Sequence, residues 1–176
     1  MTVTDIQRAL AMSLCALTAG CGAATAQSGS PFDGPAAIEP VDDTALTEQL
    51  EQAGHLLMQG GRTTAMSKLI EQLGRTRTKA TMPTTRSRNL SNAELYRRAK
   101  RSVLVIGNVY KCGKCDKWHV GQASGFVITA DGLAVTNHHV VDRSDSSTLI
   151  AMNSDGQVYP VKEVVAASEA DDLAIL

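Results

Sequence analysis

With 176 residues, 43% of them apolar but only 3% aromatic, the chain is long enough for one packed domain with appendages, its core built from aliphatic side chains and Ala. A formal net charge of -1 excludes a global electrostatic draw to nucleic acid or to an anionic membrane, and no nucleic-acid partner is expected. Charge is nevertheless uneven: residues 31–60 hold six acids and no Lys or Arg, whereas from Arg62 to Arg101 eleven bases face only Glu71 and Glu94. That asymmetry reads as a solvated linker and solvated helix faces, with a membrane-surface or partner contact as the alternative.

The N-terminus reads as an export signal over residues 1–26. Arg8 is the only base ahead of an apolar run, Ala9 to Ala19, that is too short to span a bilayer. Ala24-Thr25-Ala26 then supplies an A-x-A cleavage site, leaving Gln27 as the mature start. A lipobox competes with it: Leu17-Thr18-Ala19-Gly20 precedes Cys21, which would be lipidated and anchor the chain to a membrane, although Thr18 stands where an aliphatic is usual. Both readings place the protein outside the cytoplasm.

Residues 27–43 carry Ser-Gly-Ser-Pro, Asp-Gly-Pro and Glu-Pro without periodicity and read as a flexible tether. Leu46, Leu50, Ala53 and Leu57 then recur as one stripe of a helix that Gly60-Gly61 stops, with His55 near the stripe's edge as a surface residue. Met66, Leu69, Ile70 and Leu73 make a second stripe, so residues 44–74 are expected to form an amphipathic helical hairpin that needs a partner surface. Residues 75–90, rich in Thr, Arg and Ser, read as a linker. Ser91 and Glu94 then match a capping box at the start of another helix, ending near Lys100-Arg101.

From Ser102 the segments turn short and β-like: Val103–Lys111, Trp118–Gln122, Phe126–Thr129, Leu133–Thr136, Thr148–Met152, Val158–Val165 and Asp172–Leu176. Asp131-Gly132 is a two-residue hairpin signal of type I′, and Pro160 marks an edge or a bulge. This spacing predicts an all-β antiparallel barrel. Cys112-Gly113-Lys114-Cys115 interrupts the first hairpin, followed by Trp118-His119. In an oxidising compartment Cys112 and Cys115 most simply form a local disulfide. A zinc knuckle from Cys112, Cys115 and His119 is the weaker alternative, since only three ligands are at hand, and a thioredoxin-like pair is weaker still.

Ser124 to Val141 organises the domain. Its Ser-Gly-Phe-Val-Ile, Asp-Gly turn and Thr-Asn-His-His-Val-Val, followed by Asp172-Leu173-Ala174-Ile175-Leu176, resembles the trypsin-like serine peptidase family, in its bacterial periplasmic Deg/Htr-like branch. The resemblance covers roughly residues 102–176. It implies the six-stranded N-terminal barrel of a double β-barrel, over residues 91–176, and a serine endopeptidase acting on proteins or peptides through a Ser-His-Asp triad without a cofactor. It assigns His139 as the general base, with His138 in the variable position before it, and Asp172 rather than Asp171 as the acid that orients the base. The family's Gly-x-Ser-Gly-Gly is absent from the 176 residues. The last five residues form an apolar β run, which reads as truncation. The chain alone is therefore expected to be inactive and poorly soluble, with an apolar face meant for the second barrel, and the longer protein to be a candidate homo-oligomer. The competing class is a non-catalytic, peptidase-like binding or scaffold protein, which has no need to retain both His139 and Asp172.

Overall fold

The computed structural model describes residues 42–84 and 88–176. The export signal, the lipidation site at Cys21 and nearly all of the tether therefore lie outside the described residues. Three helices come first: α1 (Asp43–Gln59), α2 (Met66–Glu71), continued by a 3-10 turn at Gln72–Gly74, and α3 (Asn92–Lys100). Strands β1 (Val103–Lys111), β2 (Trp118–Val127) and β3 (Ala134–Thr136) follow, then the one-turn helix α4 (His138–Val141), and then β4 (Thr148–Met152), β5 (Val158–Pro160), β6 (Ala166–Ser168) and β7 (Leu173–Ile175). All pairings are antiparallel, in the order β5-β4-β1-β2-β3-β7-β6, so the fold is one all-β antiparallel sheet whose two edges, β5 and β6, do not pair to close it into a barrel.

Side chains alternate across a strand, and β1 uses both faces. Leu104 and Ile106 enter an inner cluster with Leu149, Val164 and Ala174. Val105 and Val109 face the other way, into a second cluster where Leu50 and Leu57 of α1 meet Val120 and Ile150. A strand covered on both sides reads as a continuous apolar run, as β1 does. A third cluster, around Val135, Ala166 and Ile175, lies beneath the strands that carry the site.

The helices differ from the expected hairpin. Helix α1 lies on β1, β2 and β5, tied by Gln49 Nε2 donating to the Gly156 carbonyl (2.8 Å) and Gln122 Nε2 donating to Thr47 Oγ1 (2.6 Å). Met66 and Leu69 of α2 enter the inner cluster instead. Met66 N donates to the Ser147 carbonyl, Ala167 N to the Arg75 carbonyl, and Val164 N to Gln72 Oε1, which stitches this segment along β6 and the connection from β5. Each apolar stripe is satisfied by the sheet, at a different place. His55, expected at the surface, is half-buried, with Nδ1 unpartnered among the described residues.

Helix α3 carries the capping box: Ser91 N donates to Glu94 Oε2 (3.0 Å) and Glu94 N to Ser91 Oγ (3.3 Å). No residue of α3 is buried. The strand boundaries shift too. Trp118 to Val127 is one continuous strand rather than two. Val158 to Val165 forms strand only through Pro160, which lies on the edge strand as expected, and β6 comes after it.

Candidate active site

The β2–β3 connection is longer than a two-residue hairpin. Gly132 N donates to the Thr129 carbonyl, Leu133 N to Thr129 Oγ1, and Ile128 N to the Leu133 carbonyl. Only Gly132 takes a positive φ, +97°, so the turn ends in a single left-handed glycine in place of the type I′ pair. Gly125 is needed for another reason. A Cβ there would lie 2.8 Å from the Val135 carbonyl oxygen and 3.0 Å from Ile106, so β3 could not approach β2 as it does.

Strand β3 ends at Thr136, whose buried hydroxyl donates to the Ser124 carbonyl (2.9 Å). Asn137 then leaves the extended conformation's end as the N-cap of α4, and buried Val140 and Val141 anchor that single turn. His139 is thereby held at the surface of a fixed element. Strand β7 pairs with β3 through Val135–Ile175 and Thr136–Ala174, which delivers Asp172, one residue before β7, to the same place.

The two side chains meet. His139 Nδ1 lies 2.8 Å from Asp172 Oδ2 and 3.0 Å from Oδ1. The His139 backbone N–H donates to Oδ1 (3.0 Å), and Asn137 Nδ2 donates to both Oδ2 (3.0 Å) and the Asp172 carbonyl (3.2 Å). The backbone N–H of His139, then the imidazole and the Asn137 amide, hold the Asp172 carboxyl below its ordinary pKa, against the opposing effect of desolvation. A carboxylate accepting at Nδ1 fixes the tautomer that leaves Nε2 its lone pair, and Nε2 has no partner among the described residues. Asp172 itself sits at φ +47°, the left-handed region that Asp tolerates better than most residues. The side chains remain open, 69% exposed for His139 and 47% for Asp172, so the buried carboxylate of a sequestered triad is not what this chain presents.

Asp171 goes elsewhere, accepting from Ser168 Oγ (2.7 Å). His138 is half-buried and lines a cavity of about 640 Å³ with Leu73, Arg77 and Glu169. The sequence places Asn137 in the Thr-Asn-His-His run without giving it a role. Only the arrival of Asp172 opposite the amide reveals it.

At the β1–β2 tip, Cys112 and Cys115 are free thiols, and the expected disulfide is not formed. Cys115 Sγ instead lies 3.2 Å from His119 Nε2, and Lys114 N donates to Cys112 Sγ (3.4 Å). That N–H, then the side chain and backbone N–H of Cys115, pull the Cys112 thiol below its ordinary pKa. His119 Nδ1 lies 3.0 Å from Glu51 Oε1 on α1.

Residues 123–176 match the family described as the trypsin-like peptidase domain. Over 57 residues the chain is 44% identical to proteins named probable periplasmic serine endoprotease DegP-like from Brucella suis biovar 1 (strain 1330), Brucella abortus biovar 1 (strain 9-941) and Brucella melitensis biotype 1. The matched segment is 32% of this chain and spans 10% of the relatives' length.

Proposed function

We propose that this chain, which carries part of a trypsin-like peptidase domain, contributes the base and its orienting acid to an exported serine endopeptidase. The observation that carries the reading is the 2.8 Å approach of His139 Nδ1 to Asp172 Oδ2, with the carboxylate also accepting from the His139 backbone and from Asn137. In this reading Nε2 of His139 takes the proton of a serine hydroxyl as its oxygen attacks a peptide carbonyl, then returns it to the leaving amine. Asp172 stays ionised throughout and stabilises the imidazolium. The serine, the oxyanion-stabilising donors and the substrate pocket are assigned to chain beyond these residues, since Gly-x-Ser-Gly-Gly does not occur in them. A second half packing over His139 would also remove the solvent now reaching the pair.

The names of the relatives support a periplasmic setting, and the Ala24-Thr25-Ala26 signal agrees with it; lipidation at Cys21 is the alternative form of export. Protein or peptide substrates are the corresponding partners. The test is hydrolysis of an unfolded casein-type protein. The 176-residue chain should show none. The product of the reading frame that includes a downstream Gly-x-Ser-Gly-Gly should cleave it, and His139→Ala in that protein should abolish turnover, on the order of 10⁶-fold in kcat. Turnover by the 176-residue chain, or full activity of the His139→Ala protein, would refute the assignment. Binding of unfolded polypeptide without turnover would favour a scaffold.

A further inference from the structure

The β1–β2 tip holds a second group of chemically active side chains, far from His139 in sequence and not used by the proposed reaction. Cys112 Sγ, Cys115 Sγ and a His119 ring nitrogen lie within 4.8 Å of one another. Zinc bonds of about 2.3 Å to sulfur and 2.0–2.1 Å to nitrogen, arranged tetrahedrally, separate neighbouring ligand atoms by about 3.6–3.8 Å. The group therefore needs to contract by only about 1 Å at its widest, which side-chain rotation of the exposed Cys115 can supply.

Two further contacts fit the same purpose. Glu51 Oε1 accepts from His119 Nδ1 at 3.0 Å, so the lone pair is on Nε2, the nitrogen that lies 3.2 Å from Cys115 Sγ. A carboxylate behind a histidine in this way is the usual outer shell of a histidine bound to zinc, fixing its tautomer and raising its basicity. The Lys114 N–H donates to Cys112 Sγ across a tight loop closed by Cys112 N donating to the Lys117 carbonyl (3.2 Å). That loop and this N–H fix the Cys112 sulfur beside Cys115 and His119.

We propose that Cys112, Cys115 and His119 form a zinc site, with water in the fourth position and Glu51 as the outer-shell partner of His119. Through Glu51 the metal would join the hairpin tip to α1, which otherwise meets β2 through Gln122 and Thr47 and through the apolar cluster around Leu50. The site would thus fasten the N-terminal helix to the sheet, and it is independent of whether the chain serves a peptidase.

The 176-residue chain, purified with a thiol reductant and freed of metal, would be titrated with Co²⁺ and then with Zn²⁺. One Co²⁺ per chain should bind with a thiolate-to-metal charge-transfer band, and one Zn²⁺ should displace it. The Cys112→Ser/Cys115→Ser double variant should lose the band. Glu51→Gln, which leaves all three ligands in place, should keep it while weakening affinity about 10–100-fold. Absence of the band at saturating Co²⁺ in the folded wild-type chain would overturn the site, whatever the variants do. So would stoichiometric binding that survives in the double variant. Wild-type protein recovered from an oxidising compartment without metal, and lighter by the two hydrogens of a closed disulfide, would also overturn it.

Discussion

Asp172 gathers its donors from two residues, His139 within α4 and Asn137 at its N-cap, and each should respond separately to substitution. Asp172→Asn would present an amide where His139 needs an acceptor and would favour the wrong imidazole tautomer. In the proposed full-length peptidase the expected loss in kcat is roughly 10⁴-fold, with KM little changed. Asn137→Ala removes one hydrogen bond to the carboxylate and one to the Asp172 backbone carbonyl but leaves the His139 contacts, so a smaller loss, again in kcat, is expected. The acid dependence follows from the lowered pKa of Asp172. A carboxylate held below its unfolded value near 3.9 contributes stability above that value and loses it as pH falls through the folded one. Urea denaturation of the wild-type chain should therefore weaken more steeply below about pH 4 than that of Asp172→Asn; parallel curves would show that the pair adds nothing to the fold. At the neighbouring glycine, Gly125→Ala forces β3 off β2 and should cost about 1–3 kcal/mol, and it should reduce activity because β3 leads directly into Asn137 and His139. Much of this was legible in the sequence: the order of Thr-Asn-x-His and Asp-Leu-Ala named His139 and chose Asp172 over Asp171. The clasp by Asn137 was not legible, because it depends on β3–β7 register across 35 residues of chain.

The two kinds of helix in this chain show how differently local and tertiary forces act. Helix α3 has the full capping box but buries nothing, so its stability is local. Helix α1 has its Asp42 cap, and Leu50 within it is fully buried against the sheet. Leu50→Ala should lower the unfolding free energy by about 2–5 kcal/mol, measured by urea denaturation. Ser91→Ala should fray the start of α3, read as lost helical circular dichroism, without moving the global urea midpoint. A shift of that midpoint comparable to the Leu50→Ala effect would mean that α3 packs on something. Elements with strong local signals, such as the capping box and the β4 run, were readable from residue type alone. Those defined by pairing were not. Gly121, Ser124 and Gly125 interrupt the apolar pattern of β2, yet the ladder to β1 runs through all three. The Val-rich 158–165 run looks continuous, but it leaves β4 after the Ile150–Pro160 pair and one further bond from Val161 N to the Leu149 carbonyl, and the chain then crosses to the opposite edge of the sheet.

At the scale of the molecule, the N-terminal segment is part of the fold rather than an attachment to it. The sheet is open between β5 and β6, and the chain from Thr64 to Arg75 hydrogen-bonds along the connection that links them: Thr64 Oγ1 to the Lys162 carbonyl, and Arg75 Nη1 to Glu163 and to the Val164 carbonyl. Among the described residues the exposed large apolar side chains are Leu56, Leu95, Tyr96, Val103 and Tyr159, spread over four elements. What stays open is a groove of about 660 Å³ bordered by Leu104, Val127, Leu133, Val161 and Leu176. Leu50, Leu57, Met66 and Leu69 are each at least nine-tenths buried by the sheet. Burying a side chain of this size contributes about 1.5–3 kcal/mol, so four together contribute roughly 6–12 kcal/mol as an upper estimate. The whole stability of a domain this size is only about 5–15 kcal/mol. A chain reduced to residues 76–176 should therefore fail to fold cooperatively, even though it keeps every strand, His139 and Asp172. The expected signs are strong binding of a hydrophobic dye and loss of a sigmoidal urea transition, with both restored when the truncation begins at residue 42 instead. A cooperative transition in the 76–176 chain would show that the sheet stands without its helices, and that the stripes on α1 and α2 serve something other than its core.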